Sequence, residues 1–128
     1  MVSMGDVRLR QRRLPESIAS YENALRLRPG DPDILGQLGL ALAAAGRMSD
    51  ASLAFGGAVA ARPADLRLLN LWGRTLAAEG RYVDAVVPMR RIMELAPSDG
   101  QAAVNFRTIE KLAAQQRAAG GQVTVSLP

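Results

Sequence analysis

Histidine and cysteine are both absent from the 128 residues. Without imidazole the chain lacks the side chain that ordinarily exchanges a proton near neutral pH, and without either residue the usual zinc ligands are missing. Thiol nucleophiles and disulfides are excluded on the same ground. Aromatic residues make up only 4% of the chain, which fits an alanine- and leucine-rich helical array better than a β-barrel. Lysine is nearly missing: Lys111 is the single one, so basic charge is carried by arginine. No apolar run is long enough to span a bilayer, and the basic stretch from Met1 to Arg13 has neither the apolar core nor the cleavage site of a secretory leader. The expected location is cytoplasmic, or periplasmic if a leader precedes this chain. The bias towards arginine, alanine and glycine suggests a bacterial genome rich in G and C. No cofactor is implied.

What the chain does have is a period. Pro29, Pro63 and Pro97 recur every 34 residues, and the residues between them keep step. Met4, Leu38, Trp72 and Phe106 share a register, each preceded three positions earlier by Met1, Leu35, Leu69 or Ala103, a spacing that puts both on one helical face. Gly5, Gly39 and Gly73 follow the anchors. Ser17, Ala51 and Ala85, then Ala24, Ala58 and Ile92, flank the bulky Tyr21, Phe55 and Met89, while Leu14, Met48 and Tyr82 mark the entries to second helices. Large against small is how helices interlock, and Gly73 is expected to pack against Ala85. Gly46-Arg47 and Gly80-Arg81 close two first helices, with Arg12-Arg13 in their place in the first copy. Asp31, Asp65 and Asp99 recur where a carboxylate can cap the next helix, which favours a structural over an acid-base role.

This pattern resembles the tetratricopeptide repeat family. Its consensus of a large apolar residue, Leu-Gly, a Tyr-like position, Gly-Arg, Ala, Phe or Tyr, Ala and Pro reads here as Leu35, Leu38-Gly39, Leu42, Gly46-Arg47, Ala51, Phe55, Ala58 and Pro63. The next copy reads Leu69, Trp72-Gly73, Leu76, Gly80-Arg81, Ala85, Met89, Ile92 and Pro97. The resemblance implies an all-α, right-handed superhelix of antiparallel helix pairs. Its seven expected helices span about 2–12, 15–28, 32–45, 49–61, 66–79, 83–96 and 99–118. The domain is expected to cover about 1–118, with repeats at about 1–31, 32–65 and 66–99 and a capping helix at 99–118. Arg107 and Glu110 replace the cap's glycine and leucine, leaving a polar outer face. Gly120-Gly121 is expected to end this helix and leave 119–128 as a flexible tail, in which Val123, Val125 and Leu127 alternate with polar residues. Because Met1 aligns with Leu35, the first helix lacks its opening turn; the chain is read as a piece of a longer array or as one with a frayed start.

Three local features have structural readings. Gly56-Gly57 lies inside an expected helix without the spacing of a phosphate loop, so it reads as close packing. Trp72 occupies a core anchor, and core packing is preferred to ligand stacking. Pro88 sits within an expected helix and predicts a local bend.

Function then points to a non-catalytic protein-interaction module, an adaptor or assembly factor that binds an extended peptide or protein segment in a concave groove. Helical spacing puts Asp33, Gly36, Gln37, Leu40 and Ala44 opposite the core face of one first helix. In the next unit the same face carries Arg67, Asn70, Leu71 and Arg74, and in the cap Gln101, Asn105 and Thr108. The candidate ligand-binding residues are Gln37, Leu40, Arg67, Asn70, Arg74, Gln101, Asn105 and Thr108. Amides of this kind hydrogen-bond peptide backbone, and arginine grips carboxylates, so the expected partner carries an acidic side chain or a terminal carboxylate. The family includes clamps for the C-terminal carboxylates of heat-shock chaperones; Asn70, Arg74 and Asn105 match that pattern in part, whereas Asp6, Gln37 and Leu40 do not complete it. Short arrays of this composition are also similar to repeat proteins of bacterial pilus assembly and secretion. Two alternatives remain open. One is a self-associating scaffold or part of a longer solenoid. The other is weak binding of nucleic acid or anionic surfaces, given a net charge of +4 and the cluster Arg8, Arg10, Arg12 and Arg13. No aromatic residue interleaves with those arginines, so nucleic acid is not the preferred partner.

Overall fold

Short helices of alternating large and small residues have little stability alone and form by packing against their neighbours. The computed structural model describes residues 4–126, with side chains from 13 to 119. Among them lie six helices: α1 (Met4–Leu27), α2 (Pro32–Ala44), α3 (Met48–Ala61), α4 (Leu66–Ala78), α5 (Tyr82–Leu95) and α6 (Gly100–Ser126). The described residues contain no strand, and the fold is all-α. Met1, and the side chains of Met4, Asp6, Arg8, Arg10 and Arg12, lie outside the described residues.

The chain divides into two units, residues 1–63 and 64–128. In the first, α2 packs between α1 and α3. Leu38 and Leu42 of α2 and Ala51, Phe55 and Ala58 of α3 are all buried. A Cβ built on Gly39 would lie 2.5 Å from the Phe55 ring, so only glycine lets the two helices meet there. Gly57 belongs to α3 and stands close to Leu35, in keeping with the packing reading of Gly56-Gly57.

In the second unit, α5 packs between α4 and α6. Leu76, Ala85, Val86, Met89, Ile109 and Ala113 form a buried cluster, with Trp72, Tyr82, Ile92 and Phe106 packed against it. Trp72 is thus a core residue. A Cβ on Gly73 would meet Met89 Cε at 2.5 Å and Pro88 Cγ at 3.3 Å. These two side chains, and not Ala85, limit the space at Gly73; methionine and the proline ring reach further than an alanine methyl. Pro88 does not interrupt α5, and it is among the most deeply buried side chains.

The turns repeat as faithfully as the core. Gly46 and Gly80 have φ of 80° and 76°, a left-handed conformation that side chains disfavour. After each, an arginine amide donates back to the helix, Arg47 to Leu42 and Arg81 to Leu76, both at 2.9 Å. The same arginines reach forward to Asp50 and Asp84 at 2.8 and 2.9 Å. Asp31 caps α2 by accepting from the amides of Asp33 and Ile34, Asp65 caps α4 through Leu68, and Asp99 caps α6 through Gln101 and Ala102.

Two expected breaks do not occur. The first repeat was to turn between residues 12 and 15, giving seven helices, yet α1 runs unbroken through Pro15. Arg12-Arg13 stands where the other copies have Gly-Arg; no glycine is there to adopt positive φ, and arginine is a good helix former. At the other end, α6 continues through Gly120-Gly121 to Ser126. Glycine weakens a helix by about 1 kcal/mol without forbidding it, and among the described residues there is no strand for the alternating valines to pair with. Within α6, Arg107 and Glu110 are exposed, as a terminal helix requires. Gln116 Nε2 donates to the carbonyl of Gly80, tying α6 to the turn between α4 and α5.

Candidate functional site

The second unit contains an open cleft of about 390 Å³, bordered by the starts of α4 and α6 and the end of α5. Asp65 and Asp99 set where α4 and α6 begin. From those starts, Leu66, Arg67 and Asn70 project from α4, and Gln101, Ala102 and Asn105 from α6. The remaining lining comes from Met89, Ile92 and Ala96 of the α5 region and from Asp99.

Four of the eight sequence-derived candidates therefore share one cleft: Arg67, Asn70, Gln101 and Asn105. Arg74 is exposed on α4 beyond Asn70 and does not line it. Thr108 is also outside; its hydroxyl donates to the Val104 carbonyl at 3.0 Å. Gln37, exposed, and Leu40, half-buried, belong to α2 in the first unit. Of the other residues expected on that face, Gly36 is buried and Asp33 is held by Arg62 at 2.8 and 3.3 Å.

Chemically, the cleft has an apolar floor and a polar rim. Met89 and Ala102 are buried and Ile92 half-buried, while Leu66 exposes 44% of its surface at the edge. Gln101 Nε2 donates to Asn105 Oδ1 at 2.9 Å, a pairing that orients both amides and leaves the Asn105 NH₂ as donor and the Gln101 oxygen as acceptor. Arg67 makes no ion pair among the described residues, in contrast to Arg47, Arg62, Arg81 and Arg91. The one carboxylate in the lining, Asp99, accepts two amides of its own helix. This arrangement suits recognition of a mixed polar and apolar surface and sets no nucleophile beside a base.

The apolar members Leu66, Met89, Ile92, Ala96 and Ala102 were not among the sequence-derived candidates. Met89 and Ile92 sit in the repeating core register, which hides their second exposure to a cleft. The available signal was a comparison of copies: Ala96 occupies the position of Arg62, and Arg67 that of Asp33.

Two overlapping stretches, residues 2–65 and 37–100, match the tetratricopeptide repeat family. No curated protein matches the chain. Repeats of this family generally mediate protein–protein interaction or scaffolding. The matched residues contain the 34-residue register, the glycine turns and the packed helix pairs described above, and the chain belongs to the tetratricopeptide repeat family.

Proposed function

We propose that the protein is a non-catalytic adaptor or assembly factor that binds an extended segment of a partner protein through the cleft of its second unit. The observation that carries this reading is the convergence of Arg67, Asn70, Gln101 and Asn105, residues chosen for their helical face alone, on one cleft with an apolar floor. An extended segment presents unpaired backbone amides and carbonyls. The Gln101–Asn105 pair keeps amide N–H donors and the Gln101 carbonyl acceptor for such a segment, and Asn70 offers both kinds of group. Arg67 supplies a charge for a carboxylate on the partner. No helix among the described residues is long and apolar enough to cross a membrane, and the reading requires no membrane span.

Affinity capture from the source organism, with wild type and the double variant Arg67→Glu/Asn70→Ala run side by side, tests the proposal. Partners bound through the cleft disappear with the variant while its helical circular dichroism is retained. Equal capture by both proteins moves the interaction surface elsewhere.

A further inference from the structure

Building on the cleft-binding reading, we infer that the cleft selects an internal peptide segment in which an aromatic side chain fills the apolar floor and an acidic residue two positions away pairs with Arg67. The inference begins with a difference between equivalent positions. In the first unit, Asp33 at the start of α2 reaches Arg62 after α3 and closes that corner with two hydrogen bonds at 2.8 and 3.3 Å. Thirty-four residues later the same positions are Arg67 and Ala96. The carboxylate has become a guanidinium and its counterpart a methyl group. The corner cannot close, and both residues line the cleft.

The floor specifies the apolar half of the ligand. Ala96 and Ala102 are small enough to admit a flat ring, and Leu66 and Ile92 supply apolar surface beside them. A cleft of about 390 Å³ falls within the range of ligand pockets and exceeds what an alanine or valine side chain fills. Charge complementarity specifies the other half. Arg67 has no carboxylate partner among the described residues: the Asp99 carboxylate is turned to its own helix, where Oδ1 accepts from Gln101 and Ala102, and it makes no ion pair with Arg67. An incoming acid therefore completes an ion pair that the fold supplies in the first unit and omits in the second. Along an extended segment side chains alternate faces and advance about 3.3 Å each, so the residue two positions from the ring returns to the same face of the segment and stays at the same cleft. The carboxylate is that of a side chain, which separates this ligand from one recognised by its C-terminus.

The test is selection of short random peptides, displayed with both ends extended, against the intact chain. Enriched sequences are then synthesised as C-terminal amides and titrated while the amide resonances of the protein are followed. The expected peptides contain an aromatic residue two positions from Asp or Glu, and they shift the resonances of Arg67, Asn70, Gln101 and Asn105. Replacing the ring by alanine, or the acid by its amide, weakens binding at least about tenfold. Ala96→Glu, which offers Arg67 an internal partner, does the same while the melting temperature holds; Arg67→Gln removes the preference for acid over amide and serves as a second variant. Cleft-binding peptides that lack a ring or an acid overturn the inference and leave the cleft-binding reading intact, as does binding that requires a free C-terminus. Selection that yields no peptide perturbing the cleft overturns both.

Discussion

The two units solve one packing problem with different materials. Phe55 in the first and Met89 in the second occupy the same register, and each presses against a glycine, Gly39 or Gly73, at the distance of closest approach between two helices. Phenylalanine fills the space with a rigid ring that is 1% exposed. Methionine fills it with a flexible chain whose terminal methyl makes the contact, and it also lines a cleft. The first unit is thus a closed joint, sealed at its corner by Asp33 and Arg62, and the second an adjustable one. Periodicity preserves the joint; what each copy does with its surface is decided by residues the period does not constrain.

The sharpest break of this comparison is at the plugs. Phe55→Ala is expected to lose about 3–5 kcal/mol, since it removes a fully buried ring and leaves a cavity, whereas Met89→Leu keeps the volume and is expected to lose under about 1.5 kcal/mol. Urea titrations followed by circular dichroism read both units, and the single tryptophan, Trp72, reads the second. Similar losses for the two substitutions would mean that the plugs do not differ in kind.

Next come the glycines. Alanine in place of helical glycine gains about 1 kcal/mol of propensity, against about 1–3 kcal/mol for overpacking. At Gly39 the obstacle is the Phe55 ring, so Gly39→Ala is expected to destabilise by about 1–2 kcal/mol. At Gly73 the first obstacle is the end of a methionine that can swing aside, so Gly73→Ala should fall within about 0.5 kcal/mol of wild type. Gly73→Leu adds three more carbons beyond the Cβ, which already stands 3.3 Å from the Pro88 ring, and is expected to cost about 1–3 kcal/mol. Thermal melts of the three variants check the order, and a Gly73→Ala protein less stable than Gly39→Ala would reverse it.

Caps should not distinguish the units. Asp31→Ala and Asp99→Ala are each expected to lose about 1 kcal/mol, because each carboxylate satisfies two helix amides in the same way. Smallest of all are the surface contacts. Asp33 and Arg62 are 73% and 47% exposed, so Asp33→Ala should cost no more than about 0.5 kcal/mol. Arg90, on the outer face of α5, lies 6.0 Å from the centre of the Phe106 ring, and Arg90→Ala should cost about 0.5–1 kcal/mol. A large loss at either site in chemical denaturation would give the surface a structural weight that its exposure denies.

Four helices were legible in the sequence to within a residue or so, α2 to α5, because proline, aspartate and Gly-Arg mark their ends and each mark has a direct backbone cause. The ends of the array were less legible. At Arg12-Arg13 the register calls for a turn while the residues favour continuing a helix, and only the presence of glycine at Gly46 and Gly80 explains why those copies do turn. At Gly120-Gly121 the reverse holds: glycine permits an exit without compelling it. The polar half of the cleft was readable from helical spacing on α4 and α6. Its floor was not, since periodicity assigns Met89 and Ile92 to the core and cannot show that the Asp33–Arg62 corner of the first unit is left open in the second. Arg74 and Thr108 share a helix face with cleft residues and still fall outside, because a face is longer than a cleft.

The bond from Gln116 to Gly80 joins distant parts of the second unit's sequence. Among the described residues, side-chain hydrogen bonds otherwise join positions at most four apart, except the Arg62–Asp33 pair, which spans 29; the Gln116 bond spans 36. Local contacts close first because they sacrifice the least chain entropy. During synthesis, α4 and α5 can pair as soon as their own residues emerge, but the turn at Gly80 acquires its last acceptor bond only after residue 116 has followed. The bond acts as a latch, recording that the C-terminal helix has arrived.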